Sequence, residues 1–536
     1  VRGEAVDESA TPRPTRSLLT PTVAAVGGIA IVGFLLRLAI LARSIAVIDR
    51  LFVPDDTYYT LTIARSIAHG HGPTVDGHTL TSGFQPLLGF LMVPVYWLTD
   101  NPDTALRADL ALLVLFDTAT IVVLAWIAYR LAGRVAGIAA AALWALSPVA
   151  VSMALGGLET SLAMFFAVAL VATWMWANDA PGTLRWVALG VMGALAVFAR
   201  VDLLLLVALL AALQLWKGPR RALFPASIAG LVTLAPWWIW CTVEFGSPIP
   251  TSGSVAHDMA PLRPFSRHGL AQVAGAVAGG PFDVWRGLRG WLDAHPLVGV
   301  CVFTIFVVGL LMVAWRWFHR FDGPALGAAA LPMFAAGLLV FYAWFGVGWY
   351  FTRYLAPVAL VVSLILAVVV AQAFRLEGSR RRTALAVLGA LAVVPVIAAV
   401  HANWHGLRAT TARASVFDSV TGYRDAALVV ATTPPKGSVV GAWQSGAFGY
   451  YANGRVTVVN LDGVVNPDAA RAARNDRTAF YIRDRGIDWL ADFEPHLLWF
   501  AFGGAKQLDP SPTITGVTGL PQFPPFPDYG IARINW

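Results

Sequence analysis

Two aspartates stand side by side in Pro54-Asp55-Asp56-Thr57-Tyr58-Tyr59, just beyond the first long apolar run of the chain. Adjacent carboxylates at a membrane surface repel each other and are costly to hold there without a purpose. Asp55 could cap a helix starting near Thr57, where Leu61, Ala64, Ile67 and Ala68 make one apolar face. Capping accounts for one acid and leaves the second only a dipole contact. The other chemistry open to the pair is general-base catalysis, in which Asp55 or Asp56 takes the proton of an attacking hydroxyl. Asp56 is favoured for it, because Asp55 is the better-placed cap.

His69, His71 and His78 follow, and with the aspartates they could gather a metal ion. Their spacing is sparse and reads better as solvated loop histidines, so no cofactor is required and no divalent metal is expected. Arg37 and Asp117 lie inside apolar runs, about 15 Å deep at helical rise, where an isolated charge is expensive. They read as a structural ion pair between the first two spans in preference to a proton path. Far downstream, Trp443, Tyr450, Tyr451, Asp462 and Asn466 could hold a polysaccharide by stacking and hydrogen bonding, or could simply pack a domain.

The elements that must position these residues are set by composition. Of 536 residues 57% are hydrophobic and 13% charged, with a mean hydropathy of +0.65. Soluble domains are about a quarter charged, so lipid is the main solvent here. The net charge of +7 falls in short clusters between apolar runs, which orients a membrane protein and makes no nucleic-acid stripe. Cys241 and Cys301 read as inert thiols, although a disulfide near the outer ends of their spans is conceivable.

Apolar runs near 23–47, 108–131, 135–155, 158–177, 186–199, 203–216, 222–242, 296–315, 325–346, 354–374 and 384–401 give about eleven spans. The first is too long for a signal peptide and reads as an uncleaved span. Residues 84–98 could be a half-inserted helix or a further span. Alternate gaps carry basic residues, among them Arg2, Arg13 and Arg16, Arg130, Arg185, Lys217, Arg316 and Arg375, which the positive-inside rule makes cytoplasmic. The expected architecture is a polytopic α-helical membrane protein, N-in and C-out. A cytoplasmic tail 1–22 leads into a transmembrane module 23–401 with outer loops 48–107 and 243–295, followed by a small extracytoplasmic α/β domain 402–536. Stretches 438–443, 455–461 and 487–491 read as strands and 467–485 as a helix.

The acidic pair, the short helix after it, a Gly-rich turn and then Gly83-Phe84-Gln85-Pro86-Leu87 resemble the first outer loop of GT-C glycosyltransferases. These include protein O-mannosyltransferases, the aminoarabinose transferase of lipid A and actinobacterial arabinosyl- and mannosyltransferases. Gly157-Leu158-Glu159-Thr160, Ala199-Arg200-Val201-Asp202, Phe245-Gly246-Ser247-Pro248, Arg353-Tyr354-Leu355-Ala356-Pro357 and Asn460-Leu461-Asp462-Gly463 continue the resemblance in order along nearly the whole chain. It implies a polyprenyl-phosphate sugar donor and a base in the acidic pair, Asp56 or Asp55. A phosphate leaving group then gives a role to arginines, with Arg353, Arg200 and the weaker candidate Arg65 as its partners. The plainer readings are snorkelling for Arg353 and a local pair with Asp202 for Arg200. Tyr58, Tyr59, Gln85, Glu159, Asp202, Tyr354, Asp462 and Asn466 are the implied substrate-binding residues. The chain departs from the O-mannosyltransferases in having Asp55-Asp56 for their Asp-Glu and Gln85-Pro86-Leu87 for their His-Pro-Pro-Leu, which argues against a protein acceptor.

The expectation is an inverting glycosyltransferase of the plasma membrane, with a glycan or glycolipid acceptor in the envelope. The Ala-, Arg- and Val-rich composition suits a high-GC actinobacterium, for which mannose or arabinofuranose is the expected sugar. The rivals are a transporter or flippase of lipid-linked sugars, which would show repeated halves and midplane polar sites, and a non-catalytic envelope scaffold.

Overall fold

The computed structural model of the protein describes residues 19–180, 182–258, 263–278, 291–292, 294–345, 352–409, 423–519 and 529–536. The basic tail with Arg2, Arg13 and Arg16 and most of the 347–353 gap lie outside the described residues.

Among the described residues eight helices are long and apolar enough to cross a membrane by length and composition. The pair Arg134–Ala145 and Pro148–Leu155 has that length and composition only when taken together, and it is bent by 54°. The break falls at Ser147-Pro148, where proline cannot donate to the helix ladder and Ser147 caps the new helix through Ala150 N at 3.2 Å. Thr183–Ala199 and Leu204–Lys217 are shorter, at 17 and 14 residues. The apolar runs of the sequence fall on helices, but among the described residues only those eight reach spanning length by themselves. Pro86–Tyr96 is a short apolar helix of 11 residues.

The first run is not one helix to residue 47. Leu19–Leu41 ends where Arg107 donates to the carbonyls of Leu41 (2.5 Å) and Arg43 (2.7 Å), and Ile45–Phe52 starts anew. Arg37 and Asp117 tie Leu19–Leu41 to Pro102–Ala132, with Arg37 Nε 2.6 Å from Asp117 Oδ2 and both side chains buried. Trp144 Nε1 donates to the other Asp117 oxygen at 3.0 Å, and Arg37 Nη1 donates to the carbonyls of Gly33 and Ala145. Cys241 and Cys301 are both free thiols.

After the helix Gly378–Arg408, the described chain resumes at Tyr423–Thr432 and builds a five-stranded mixed sheet. The strands are β1 (Val439–Ala442), β2 (Thr457–Asn460), β3 (Trp489–Phe493), β4 (Thr513–Gly519) and β5 (Tyr529–Asn535), in the order β2-β1-β3-β5-β4. β1 pairs in parallel with β2 and β3, whereas β5 is antiparallel to β3 and β4. The helix Gly446–Ala452 makes the β1–β2 crossover. The single helix expected over 467–485 is two, Pro467–Arg474 and Thr478–Asp484, parted at Asp476 with φ 54°. β4 and β5 were not read from the sequence.

The sheet-bearing segment docks on the helix Asp55–Ala68 and on the start of Pro102–Ala132. Arg424 pairs with Asp103 at 2.8 Å, Tyr451 Oη donates to Asp103 Oδ1 at 3.1 Å, and Tyr450 Oη donates to the Pro102 carbonyl at 2.7 Å. Asp49 accepts from Tyr58 Oη (2.5 Å) and Arg424 N (3.1 Å), joining Ile45–Phe52 to the same contact.

Candidate active site

A cavity of about 2370 Å³ opens between this end of the helix bundle and the sheet. Asp55 and Asp56 begin the helix Asp55–Ala68, whose N-cap is Pro54, and neither carboxylate caps its own helix. Asp55 instead accepts Gly446 N (2.9 Å) and Ala447 N (2.8 Å), so it caps a helix 391 residues away. That corrects the expectation that Asp55 would cap the helix at Thr57. The contact explains Gly446, since a Cβ there would lie 2.2 Å from the Asp55 carbonyl oxygen. Burial pushes the Asp55 carboxyl up to about 7 against the two N–H bonds, and Asp56 and Asp492 push the same way. Asp56 is 44% exposed and ion-pairs with Arg353, whose guanidinium also lies over the Tyr354 ring at 5.2 Å.

Arg200, between Thr183–Ala199 and Leu204–Lys217, pairs with Asp202 at 2.5 Å and donates to Tyr342 Oη (3.2 Å) and to the Arg353 carbonyl (3.0 Å). The local pair foreseen for Arg200 is thus present, and the side chain still lines the cavity. Glu159 lies just before Thr160–Asp179. Burial raises its pKa while Arg200 and Arg353 oppose the rise. The turn into it needs Gly157, at φ 71°, where a Cβ would meet Thr57 Cγ2 at 2.3 Å. On the sheet side, Asp462 accepts Val464 N at 2.8 Å, and burial pushes its carboxyl up to about 7. Tyr59 Oη reaches Ser445 N and Asn460 Nδ2, both at 3.2 Å.

Asp55, Asp56, Tyr59, Gln85, Glu159, Arg200, Asp202, Arg353, Tyr354 and Asp462 all line the cavity. Tyr58, Arg65 and Asn466 are not among its lining residues. Tyr58 is buried against Asp49, and Arg65 is spent on the Tyr450 carbonyl (3.0 Å) and Asn453 Oδ1 (2.8 Å). Asn466 caps Pro467–Arg474 through Ala469 N. Arg65 therefore ties the helix Asp55–Ala68 to the sheet segment, whereas Asn466 braces that segment from within. Among the described residues no group of three His, Cys, Asp or Glu side chains gathers as a metal site, and His69 lies 3.3 Å from Asp100 instead.

Sequence reasoning missed Asp492 and His496, of which His496 lines the cavity. His496 Nδ1 lies 2.7 Å from Asp492 Oδ1. Their meeting depends on the turn from β3 into the next helix, so no spacing rule in the sequence marked it.

Residues 413–523 match a family described as a domain of unknown function, DUF8728. No curated protein matches the chain. Solved structures do. The archaeal oligosaccharyltransferase AglB from Archaeoglobus fulgidus, in complex with an inhibitory peptide and a dolichol-phosphate, has a TM-score of 0.56 at 12% identity. That match covers 89% of this chain and 69% of AglB. ArnT from Cupriavidus metallidurans bound to undecaprenyl phosphate has a TM-score of 0.55 at 15% identity, covering 96% of this chain and 98% of ArnT. With its long apolar helices, the protein is a multi-pass membrane protein, and its fold is that of the GT-C membrane glycosyltransferases.

Proposed function

We propose that the protein is an inverting glycosyltransferase that moves a sugar from a polyprenyl-phosphate donor to a hydroxyl of a glycan or glycolipid, at the extracytoplasmic face of the plasma membrane. The observation that carries the reading is the division of labour in the acidic pair. Asp55 is committed to two backbone N–H groups, whereas Asp56 faces the cavity against Arg353. Two of the fold's relatives, ArnT and AglB, are described with undecaprenyl phosphate and dolichol-phosphate bound, which supports a lipid phosphate as the donor's carrier.

The chemistry is a single displacement. The acceptor oxygen forms a bond to the anomeric carbon as the bond from that carbon to the phosphate oxygen breaks, and the hydroxyl proton goes to Asp56. Polyprenyl phosphate leaves with the bonding pair, and one backside attack inverts the centre. Arg353 and Arg200 neutralise the departing charge, and a planar guanidinium suits it because it meets phosphate through two N–H bonds. Since Arg353 also holds Asp56, a phosphate that takes the guanidinium frees the carboxylate as the donor settles. Glu159 and Asp202 keep the two arginines oriented, and Tyr59, Gln85, Tyr354 and Asp462 contact the sugars. Mannose and arabinofuranose remain the proposed sugars.

The test is Asp56→Asn in purified protein given decaprenyl-phosphate sugars. Asparagine cannot take the proton, so transfer should fall at least about a hundredfold, the lower end for a positioned base, while decaprenyl phosphate still binds. Near-normal transfer by Asp56→Asn removes the mechanism's base.

A further inference from the structure

The sheet's share of the cavity wall carries an assembly that the displacement above does not use. Asp492, wholly buried in β3, spends both oxygens. Oδ2 accepts Trp443 N (2.5 Å) and Gln444 N (3.0 Å), while Oδ1 accepts Phe493 N (2.7 Å) and lies 2.7 Å from His496 Nδ1. The carboxylate therefore fixes both the loop after β1 and the imidazole on the next helix, Glu494–Phe502. With Nδ1 engaged, Nε2 is the ring nitrogen left for a ligand. Burial alone would lower the His496 pKa, but the Asp492 bond and charge, with Asp462, hold it above its ordinary value.

The Trp443 ring stacks on this imidazole, with centroids 4.9 Å apart and planes at 26°, and Trp499 meets its edge at 5.9 Å. Trp443 and His496 are both half-buried and both line the cavity, as does Asp462. The same loop continues to Gly446 and Ala447, whose N–H groups hold Asp55. The arrangement is thus pinned at one end by Asp492 and at the other beside the acidic pair.

A flat apolar ring next to a fixed imidazole nitrogen and a carboxylate is what a sugar ring needs. Its C–H face lies on the indole, and neighbouring hydroxyls find partners that can both donate and accept. We propose that Trp443 and His496, the latter positioned by Asp492, form the subsite that binds the ring of an acceptor sugar. The acceptor is then a carbohydrate and not a peptide. The inference rests on the transferase reading, which supplies the neighbouring donor.

The experiment uses the full chain in lipid nanodiscs with two probes, an octyl dimannoside and an octyl diarabinofuranoside. Saturation-transfer NMR reads their ring protons, and decaprenyl phosphate binding is measured in parallel. At least one probe should show ring saturation, and Trp443→Ala and His496→Leu should each weaken it at least fivefold, while Trp443→Phe and His496→Gln keep most of the affinity. Decaprenyl phosphate binding should be unchanged in all four. If Trp443→Ala does not fold, His496→Leu against His496→Gln carries the test. Saturation of neither probe by the native chain, or equal affinity in His496→Leu, overturns the subsite. So does a loss of decaprenyl phosphate affinity in these variants, because the wall would then serve the donor. Asp56→Asn separates the two readings. Normal glycoside binding with lost transfer supports both, whereas normal transfer sinks the base and leaves the subsite standing.

Discussion

Asp55 and Asp56 share a side chain and a peptide bond, and their surroundings make them different chemicals. Asp55 is held by two N–H groups of the sheet segment in a buried position, and its carboxyl is pushed up to about 7. Asp49 and Asp462 are buried likewise and pushed up to about 7. A carboxyl whose folded pKa lies above its usual 3.8 prefers the protonated state when folded, so its stabilisation is full below about 4 and is lost as pH rises through about 7. The His496 pKa is also raised, which acts with the same sign from the usual 6.5 upward. Asp76 is shifted down, so it acts only below the range of interest. The unfolding midpoint of the purified protein should therefore fall between pH 5 and pH 8, read by a thermal ramp. Asp55→Asn, which cannot ionise, should narrow that difference; an equal fall in the variant would mean that Asp55 is not one of the groups responsible. The acidic pair drew attention by residue type and position, and Arg353 through the resemblance and the phosphate it implies; all three line the cavity. Which acid would be engaged was not legible, because the partners of Asp55 lie 391 residues away and are fixed by docking and not by local pattern.

At the scale of elements, periodicity carried most of the information. Apolar runs long enough to be lipid-facing mark themselves, and three strands of the sheet fall within a few residues of their β-rich stretches. What failed were boundaries made by contacts from elsewhere. The end of the first helix at Leu41 depends on Arg107, and the break at Asp476 depends on a left-handed residue. One long-range pairing was legible, because two opposite charges in apolar runs have few other ways to survive. The Arg37–Asp117 pair joins the first helix to Pro102–Ala132. Removing either charge strands the other and should destabilise the bundle by about 3–5 kcal/mol, whereas replacing both with leucine or methionine should be milder. Unfolding in mixed detergent checks this, and a double variant as damaged as the two singles combined would refute the pairing. Transfer per folded molecule should change little, since neither residue lines the cavity.

For the whole molecule the open matter is sidedness, and two helices argue it together. Pro102–Ala132 has Asp103 in its first turn, bound to Arg424 of the sheet segment, and Arg130 in its last turn, bound to Asp179 at 2.8 Å. Its 31 residues span roughly 45 Å at helical rise, so these contacts lie at opposite ends of the bundle. Thr352–Arg375 repeats the pattern, with Arg353 at the cavity and Arg375 donating to the Ala132 carbonyl at 2.6 Å. The cavity and the sheet thus share one end, while Arg130 and Arg375 sit at the other. Arg185 joins that end, since it donates to the Trp176 carbonyl in the last turn of Thr160–Asp179, beside Asp179. Arginine and lysine in short gaps are retained on the cytoplasmic side during insertion, so the orientation we propose puts the basic end inward and the cavity outward. A reporter that is active only outside the cytoplasm, fused after Trp536, should therefore give signal, and one fused after Lys217 should give none. Adding lysines to the 200–202 turn should weaken that contrast, because the added charge competes with the gaps at 130 and 217 for the cytoplasm. The reverse pattern, signal after Lys217 and none after Trp536, would place the acidic pair in the cytoplasm, away from the face at which the proposed donor and its acceptor would meet.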